Sequence, residues 1–322
     1  MLFDLKNFFD LVDPNKNIID AFSGGGDSSA LLHFCHELNQ RKLLNRNLSA
    51  VHINHSLNKD SDQWEDHCRI FCQERDISFQ SHVVNVDSKK SGLESAARNA
   101  RYKIFQETLQ LNDQLLMAHH ADDVAETILF RLFRGTGLDG LQGPVKERPL
   151  GEGVILRPWL DYTKSELNQY LSANNIKFIS DGTNFEDNQD RNFIRNEVLK
   201  MAASRWPNAN RQIQQTASLV SKHKKAHDFL LDQQFGVNIR GPKLQRKFLL
   251  DLEKDVCIEV IRYWIKINNV AMPNKKIIGE IVKAFIQTNP SSKTKVNWSR
   301  ADNDQNSAFL TFGDGDLILN EK

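Results

Sequence analysis

The stretch Ile18-Ile19-Asp20-Ala21-Phe22-Ser23-Gly24-Gly25-Gly26-Asp27-Ser28-Ser29 decides how the rest of the chain is read. Its apolar start predicts a short buried strand, and Ala30-Leu31-Leu32-His33-Phe34-Cys35 beyond the glycines predicts a helix. Between them lies a loop with almost no side chains. It ends at a helix N-terminus, where backbone N–H groups and the positive end of the dipole favour phosphate. Gly24, Gly25 and Gly26 allow close backbone approach, and Ser23 and Ser28 add hydroxyls, so these residues are candidate nucleotide contacts. A P-loop requires a lysine after its glycines, and here Asp27 follows instead. An acid beside phosphate suits a divalent cation that bridges the two. The plainer alternative is a glycine turn with Asp27 and Ser28 capping the helix.

Further along, Leu48 to His55, Ile77 to Val86 and Gln114 to Ala118 read as strands, separated by helical patterns at about Ser61 to Arg75 and Leu93 to Leu109. This alternation predicts an α/β fold with a doubly wound parallel sheet, whose ligands bind beyond the carboxyl ends of the strands. Ser23, the pair His52/His55 and the cluster His119-His120-Ala121-Asp122-Asp123 all fall at such ends. From Val124 the apolar residues have helical spacing, so Asp123 and Glu126 share one side. Two histidines beside two aspartates also suggest zinc, although adjacent residues on a strand point to opposite faces. Gly135-Thr136-Gly137-Leu138-Asp139-Gly140 matches a dinucleotide fingerprint, but a helix precedes it where that fingerprint needs a strand.

The Ser-Gly-Gly-x-Asp-Ser loop resembles the PP-loop of the ATP pyrophosphatase superfamily. His52-x-Asn54-His55, Leu93 to Tyr102 (with Arg98), Ala118 to Thr127, Arg134 to Leu138, Arg157-Pro158-Trp159-Leu160, Asp181 to Asn184 and Arg191-Asn192-Phe193-Ile194-Arg195 follow in order the motifs of tRNA(Ile)-lysidine synthetase. The resemblance implies an adenine nucleotide α-hydrolase-like catalytic domain and a ligase that forms a carbon–nitrogen bond. ATP adenylates C2 of the wobble cytidine of a tRNA(Ile) with a CAU anticodon, and the amine of L-lysine displaces AMP. Pyrophosphate is released and the codon read changes from AUG to AUA. The implied catalytic residues are Asp27, Asp123, Glu126, Arg98 and Arg191. His55 joins the loop residues in binding ATP, and Mg²⁺ arrives with ATP, with Asp27 as its protein contact. The partners implied are tRNA(Ile) and L-lysine, with room for a homodimer. Longer members carry a further C-terminal domain, and this chain ends where it would begin.

The 322 residues suggest two domains, divided at Pro207 into a catalytic part, 1–207, and a smaller, mostly helical, tRNA-recognition part, 208–322. A net charge of +1 argues against a whole-surface polyanion binder, so basic patches must be local. From Arg191 to Lys225 eight basic residues face one acid, a local charge of +7. Arg195, Arg205, Lys222, Lys224 and Lys225 are the candidate tRNA contacts in it; the plain alternative is a solvated helix face. Four cysteines and no long uncharged apolar run suit a reducing cytoplasm and no membrane. Cys68 and Cys72 fall on an apolar helical face and read as core. The rival readings are a PP-loop tRNA thiolase, which needs a sulfur-handling cysteine, and a non-catalytic nucleotide- or RNA-binding module.

Overall fold

The computed structural model describes residues 3–55, 60–84, 93–179, 190–299 and 307–321, with the side chains of 93–95 left out. The Asp181 to Asn184 motif lies outside the described residues. Two compact units emerge, 1–221 and 222–322.

The first unit begins with α1 (Leu5–Phe9) and then alternates strand and helix: β1 (Ile18–Ala21), α2 (Gly26–Gln40), β2 (Leu48–Asn54), α3 (Ser61–Gln73), β3 (Ser78–Val83), α4 (Leu93–Thr108), β4 (Gln114–Leu116) and α5 (Ala121–Phe133). After α6 (Leu138–Leu141) come β5 (Glu147–Leu150), β6 (Gly153–Leu156) and α7 (Lys164–Ala173). The sheet order is β3-β2-β1-β4-β6-β5, parallel except for the edge strand β5. The expected parallel sheet is therefore present, with two further strands after β4. The order reverses between β1 and β4, which opens a crevice at the carboxyl ends of those two strands.

Alternation along β1 sorts its side chains. Ile18 and Phe22 join a core with Phe34, Cys68 and Cys72, while Ile19 joins Val51, Tyr102 and Leu115 on the other face. Phe3 stacks on Trp159 at 4.6 Å between centroids and meets Phe34 edge-on at 5.4 Å, which clamps the chain start and α2 to the segment after β6. Cys68 and Cys72 are core residues, as their spacing predicts.

Beyond residue 189 the chain forms α8 (Asp190–Phe193), a π turn over Ile194–Val198, α9 (Leu199–Arg205) and the 27-residue α10 (Ala209–Phe235). The division between units falls within α10, later than the expected break at Pro207. Ala217 and Ile213 explain the difference: they pack with Val124, Ile128 and Leu160, so the start of α10 belongs to the first core. Among the described residues no helix is long and apolar enough to cross a membrane.

The second unit holds the end of α10, β7 (Lys243–Gln245), α11 (Arg246–Leu250), α12 (Lys254–Ile267), α13 (Lys275–Val282), β8 (Lys295–Trp298), β9 (Ala308–Gly313) and β10 (Asp316–Glu321). Its helices pack Trp264 and Phe285 against Leu310 and Leu317 of an antiparallel sheet ordered β7-β10-β9-β8. The alternating stretches at Val296 and Ala308 pair antiparallel as β8 and β9 within that four-stranded sheet.

Candidate functional site

The glycine loop is folded by its own hydroxyls. The Ser23 and Ser28 hydroxyls lie 3.0 Å apart, Ser28 donates to the Gly25 carbonyl at 3.1 Å, and Ser29 donates to the Gly24 carbonyl at 3.3 Å. Gly24 has φ +80°, and a Cβ there would lie 2.8 Å from Cys68 Sγ, so conformation and space both require glycine. The Gly24 carbonyl also accepts from Ile179 N–H at 2.9 Å. Gly25 is the N-cap of α2, and no side chain caps that terminus. Asp27 and Ser28 therefore do not cap the helix, and its first N–H groups carry no side-chain cap.

A cavity of about 290 Å³ opens beside the loop, lined by Ser23, Asp27, His55, Arg101, His119 and Asp123 among others. His55 faces this cavity, but His52 does not. The His52 ring turns into the core, with Nδ1 2.9 Å from the Phe22 carbonyl oxygen and 3.5 Å from Cys68 Sγ, so the two histidines do not act as a pair. Burial and then the nearby Arg101 charge hold the His55 imidazole below its usual range.

Asp27 meets two cationic groups, His120 of the strand-end cluster and Lys164, which the sequence does not point to. Lys164 Nζ lies 2.5 Å from Oδ1 and His120 Nε2 lies 3.5 Å from Oδ2. Burial alone would raise the Asp27 carboxyl, but the hydrogen bond and charge of His120, with Lys164, hold it at about 2. Burial in turn disfavours a charged His120, yet Asp123, Asp27 and Asp122 raise it above its usual range. Lys164 arrives here because it is the first residue of α7, which Thr163 and Glu166 cap reciprocally.

The second strand end delivers the acids. His120 N–H donates to Asp123 Oδ2 at 3.0 Å, which starts α5 and fixes that carboxylate. Asp122 accepts from Lys164 N–H at 2.8 Å and from the Asn210 amide at 2.6 Å, tying α5 to α7 and α10. Glu126 is 5% exposed, and Arg195 donates to its Oε2 from two nitrogens, at 2.6 and 2.9 Å. Arg195 also lies 3.8 Å from Asp123 Oδ1, and Arg191 Nε lies 4.0 Å from Glu126 Oε1. Burial raises the Glu126 carboxyl above its usual range despite the opposing pull of Arg195.

Arg98 sits a turn before Tyr102, with its guanidinium 4.8 Å from the ring centroid. The same ring carries Arg148 at 4.9 Å, and the buried Arg157 reaches the Tyr102 hydroxyl at 3.5 Å and His119 Nδ1 at 3.3 Å. Burial, only partly offset by Asp123, holds His119 down at about 4, so it is a neutral cavity wall.

The basic stretch is not one surface. Arg195 is committed to the acid pair and Arg211 to Glu166 at 2.6 Å. Lys224 is 9% exposed, 3.5 Å from Asp228 and 3.4 Å from Glu259. A buried, paired lysine cannot follow a phosphate backbone, so Lys224 leaves the candidate RNA contacts. Arg205, Lys222 and Lys225 are exposed.

Comparison with known proteins places this geometry. Residues 3–202 match the family described as the PP-loop domain. A tRNA(Ile)-lysidine synthase of Photorhabdus laumondii is 34% identical over 273 residues, covering 83% of this chain and 60% of that protein. One from Coxiella burnetii is 35% identical over 278 residues, covering 86% of this chain and 62% of that protein. The chain therefore spans about three-fifths of the length of these relatives. Among solved structures, the U34-tRNA thiolase NcsA from Methanococcus maripaludis superposes with a TM-score of 0.55, at 17% identity, over 68% of this chain and 77% of that one. At that identity the likeness concerns the fold alone.

Proposed function

We propose that this chain, which belongs to the PP-loop domain family, uses ATP to join the ε-amine of L-lysine to C2 of the wobble cytidine of a tRNA(Ile) in the cytoplasm, releasing AMP and pyrophosphate. One observation carries this reading. An uncapped helix N-terminus behind a glycine loop and an acid pair, half-buried Asp123 and buried Glu126, lie at the carboxyl ends of the adjacent strands β1 and β4.

The phosphates of ATP lie on the N–H groups at the start of α2, within reach of the Ser23 and Ser28 hydroxyls. Asp27 stays ionised at every physiological pH and borders the cavity, so it fits Mg²⁺, a hard cation that prefers carboxylate oxygen. Bound there, Mg²⁺ supplies charge neutralisation for the phosphates. Arg98 and Arg191 serve the charge that develops as the cytidine oxygen is adenylated. A lysine amine is mostly protonated at neutral pH, since its ordinary pKa is about 10.4, and must lose a proton as it attacks. Glu126, whose carboxyl is raised by burial, takes that proton, and Asp123 orients the ammonium. The thiolase alternative lacks an accessible thiol: Cys35, Cys68, Cys72 and Cys257 are all buried. Burial pushes the Cys72 thiol up to about 12.

The test is transfer of labelled lysine onto a CAU-anticodon tRNA(Ile) with ATP, with pyrophosphate release followed in parallel. Equimolar lysine incorporation and pyrophosphate are expected. Pyrophosphate release that is independent of lysine and tRNA, or sulfur incorporation in place of lysine, refutes the reading.

A further inference from the structure

The face of α5 that carries the acids continues past them. Asp123, Glu126, Phe130 and Phe133 follow one another at spacings of three, four and three residues, one line along the helix, and Arg134 lies four residues beyond Phe130. At 1.5 Å per residue, Phe130 is about 6 Å and Phe133 about 10 Å beyond Glu126. The Phe130 ring holds two guanidinium groups, Arg134 at 5.0 Å and Arg191 at 5.3 Å from its centroid. Phe133 is 64% exposed, and so is 51% of Phe193 at the end of α8, the helix packed beside α5. From Thr127 to Leu138 there is no acid and there are two arginines. The exposed rings of Phe133 and Phe193, with Arg134 beside them, complement a polyanion that has flat faces. Stacking of unpaired bases on phenylalanine and guanidinium planes is how single-stranded RNA is held.

We propose that this face, Phe130, Phe133 and Phe193 with Arg134, is the platform on which the unpaired anticodon nucleotides beside the reacting cytidine stack; this rests on the tRNA reading above. The distances suit it, because 6–10 Å along the helix spans about two or three stacked nucleotides at 3.4 Å each. The platform thus sets how deeply the cytidine enters the cavity, and the bases it stacks are those next to the modified one.

The probe is a CAU anticodon stem-loop RNA with 2-aminopurine in place of the anticodon adenine, whose fluorescence falls on stacking. Each of Phe133→Ala and Phe193→Ala should weaken binding roughly 5- to 150-fold, the range of one lost base–aromatic stack, and relieve the quenching. The slope of log affinity against log salt should not move, since no phosphate contact is removed. Phe133→Trp should retain affinity and quenching. Phe133→Leu, which keeps the apolar area and loses the ring, should not. Wild-type affinity and quenching in the double alanine variant overturn the platform while leaving lysine transfer by the wild-type chain, and hence the functional reading, intact. A double variant that alters self-association of the free chain but not RNA binding marks the face as a protein contact and also overturns it. If the wild-type chain neither binds the stem-loop nor transfers lysine, the functional reading itself fails and the platform with it.

Discussion

Asp20 gives the sharpest test of the packing around the nucleotide loop. It lies on β1 between Ile19 and Ala21, is 0% exposed, and neither carboxyl oxygen has a hydrogen-bond partner among the described residues. Burial raises its carboxyl well above the usual range, and its nearness helps to raise the thiols of Cys35 and Cys72. Leaving a buried polar group unsatisfied costs about 1–3 kcal/mol, and a buried valine in its place gains about 1.5–3 kcal/mol of transfer energy. Asp20→Val should therefore stabilise residues 1–221 by roughly 2 kcal/mol or more, about 4 °C or more in a unit of this size. The sign with pH follows from linkage. The unfolded carboxyl releases its proton near pH 3.9, while the folded one holds it to higher pH, so this contribution is fully present below about pH 4 and is lost as pH rises through the folded value. In that window the wild-type chain should lose up to about 1.4 kcal/mol per pH unit relative to Asp20→Val or Asp20→Asn. Urea melts followed by circular dichroism at several pH values between about 4 and 7.5 read both effects. A valine variant less stable than wild type, or parallel pH curves for wild type and both variants, refutes the argument.

Asp27→Ala should abolish pyrophosphate release with little change in melting temperature, since Asp27 serves the cavity and not the core; ATP turnover at the wild-type rate rules this out. Lys164→Met removes one of the charges that hold Asp27 near 2, so the acid limb of the pyrophosphate-release profile should move to higher pH. Glu126→Gln should slow lysine transfer by about 10²–10⁴-fold in single-turnover assays. Asp123→Asn should do the same and also cost about 1 kcal/mol through the weakened start of α5. Removing Arg195, whose charge pulls Glu126 down, should shift the acid limb of the transfer rate upward, measured as pH–rate profiles of Arg195→Met. For the exposed lysines, Lys222→Gln with Lys225→Gln should flatten the salt slope of tRNA binding by about 1.4 to 1.8, whereas Lys224→Gln should lower the stability of residues 222–322 and leave that slope unchanged.

The central strands and helices were legible because periodicity is strong where one face is fully buried, as in α2 and β2. The pair β5 and β6 is hidden in the sequence for physical reasons. Glu147-Arg148-Pro149-Leu150 carries charges and a proline, which only an antiparallel edge strand tolerates, and Gly153–Leu156 is four residues long. By contrast, the sequence does signal β10. Asp314-Gly315 between β9 and β10 takes φ +54° and +85°, the turn that an Asp-Gly pair between alternating strands announces. At the site, Ser23 to Ser28, Asp123 and Glu126 could be found because loop and helix spacing are local. Lys164 could not, and neither could the partners of His120 and Arg195, since their meeting with Asp27 and Glu126 depends on which strand ends lie side by side. Arg195 further depends on a π turn that nothing in Ile194–Val198 announces. The basic count from Arg191 to Lys225 misled because charge runs ignore burial.

An acid that already holds a guanidinium cannot recruit an amine by charge alone. With Arg195 on Glu126, an arriving ammonium exchanges one cation for another, and the net charge of the acid pair and its counter-ion stays the same. Long-range attraction then contributes little, so the Michaelis constant for the amine should vary weakly with ionic strength even as that for a polyanion varies steeply. On the function proposed above, discrimination should pass from charge to reach: among amines compared as acceptors, the one whose stem sets its nitrogen at Glu126 in place of the Arg195 guanidinium should react fastest.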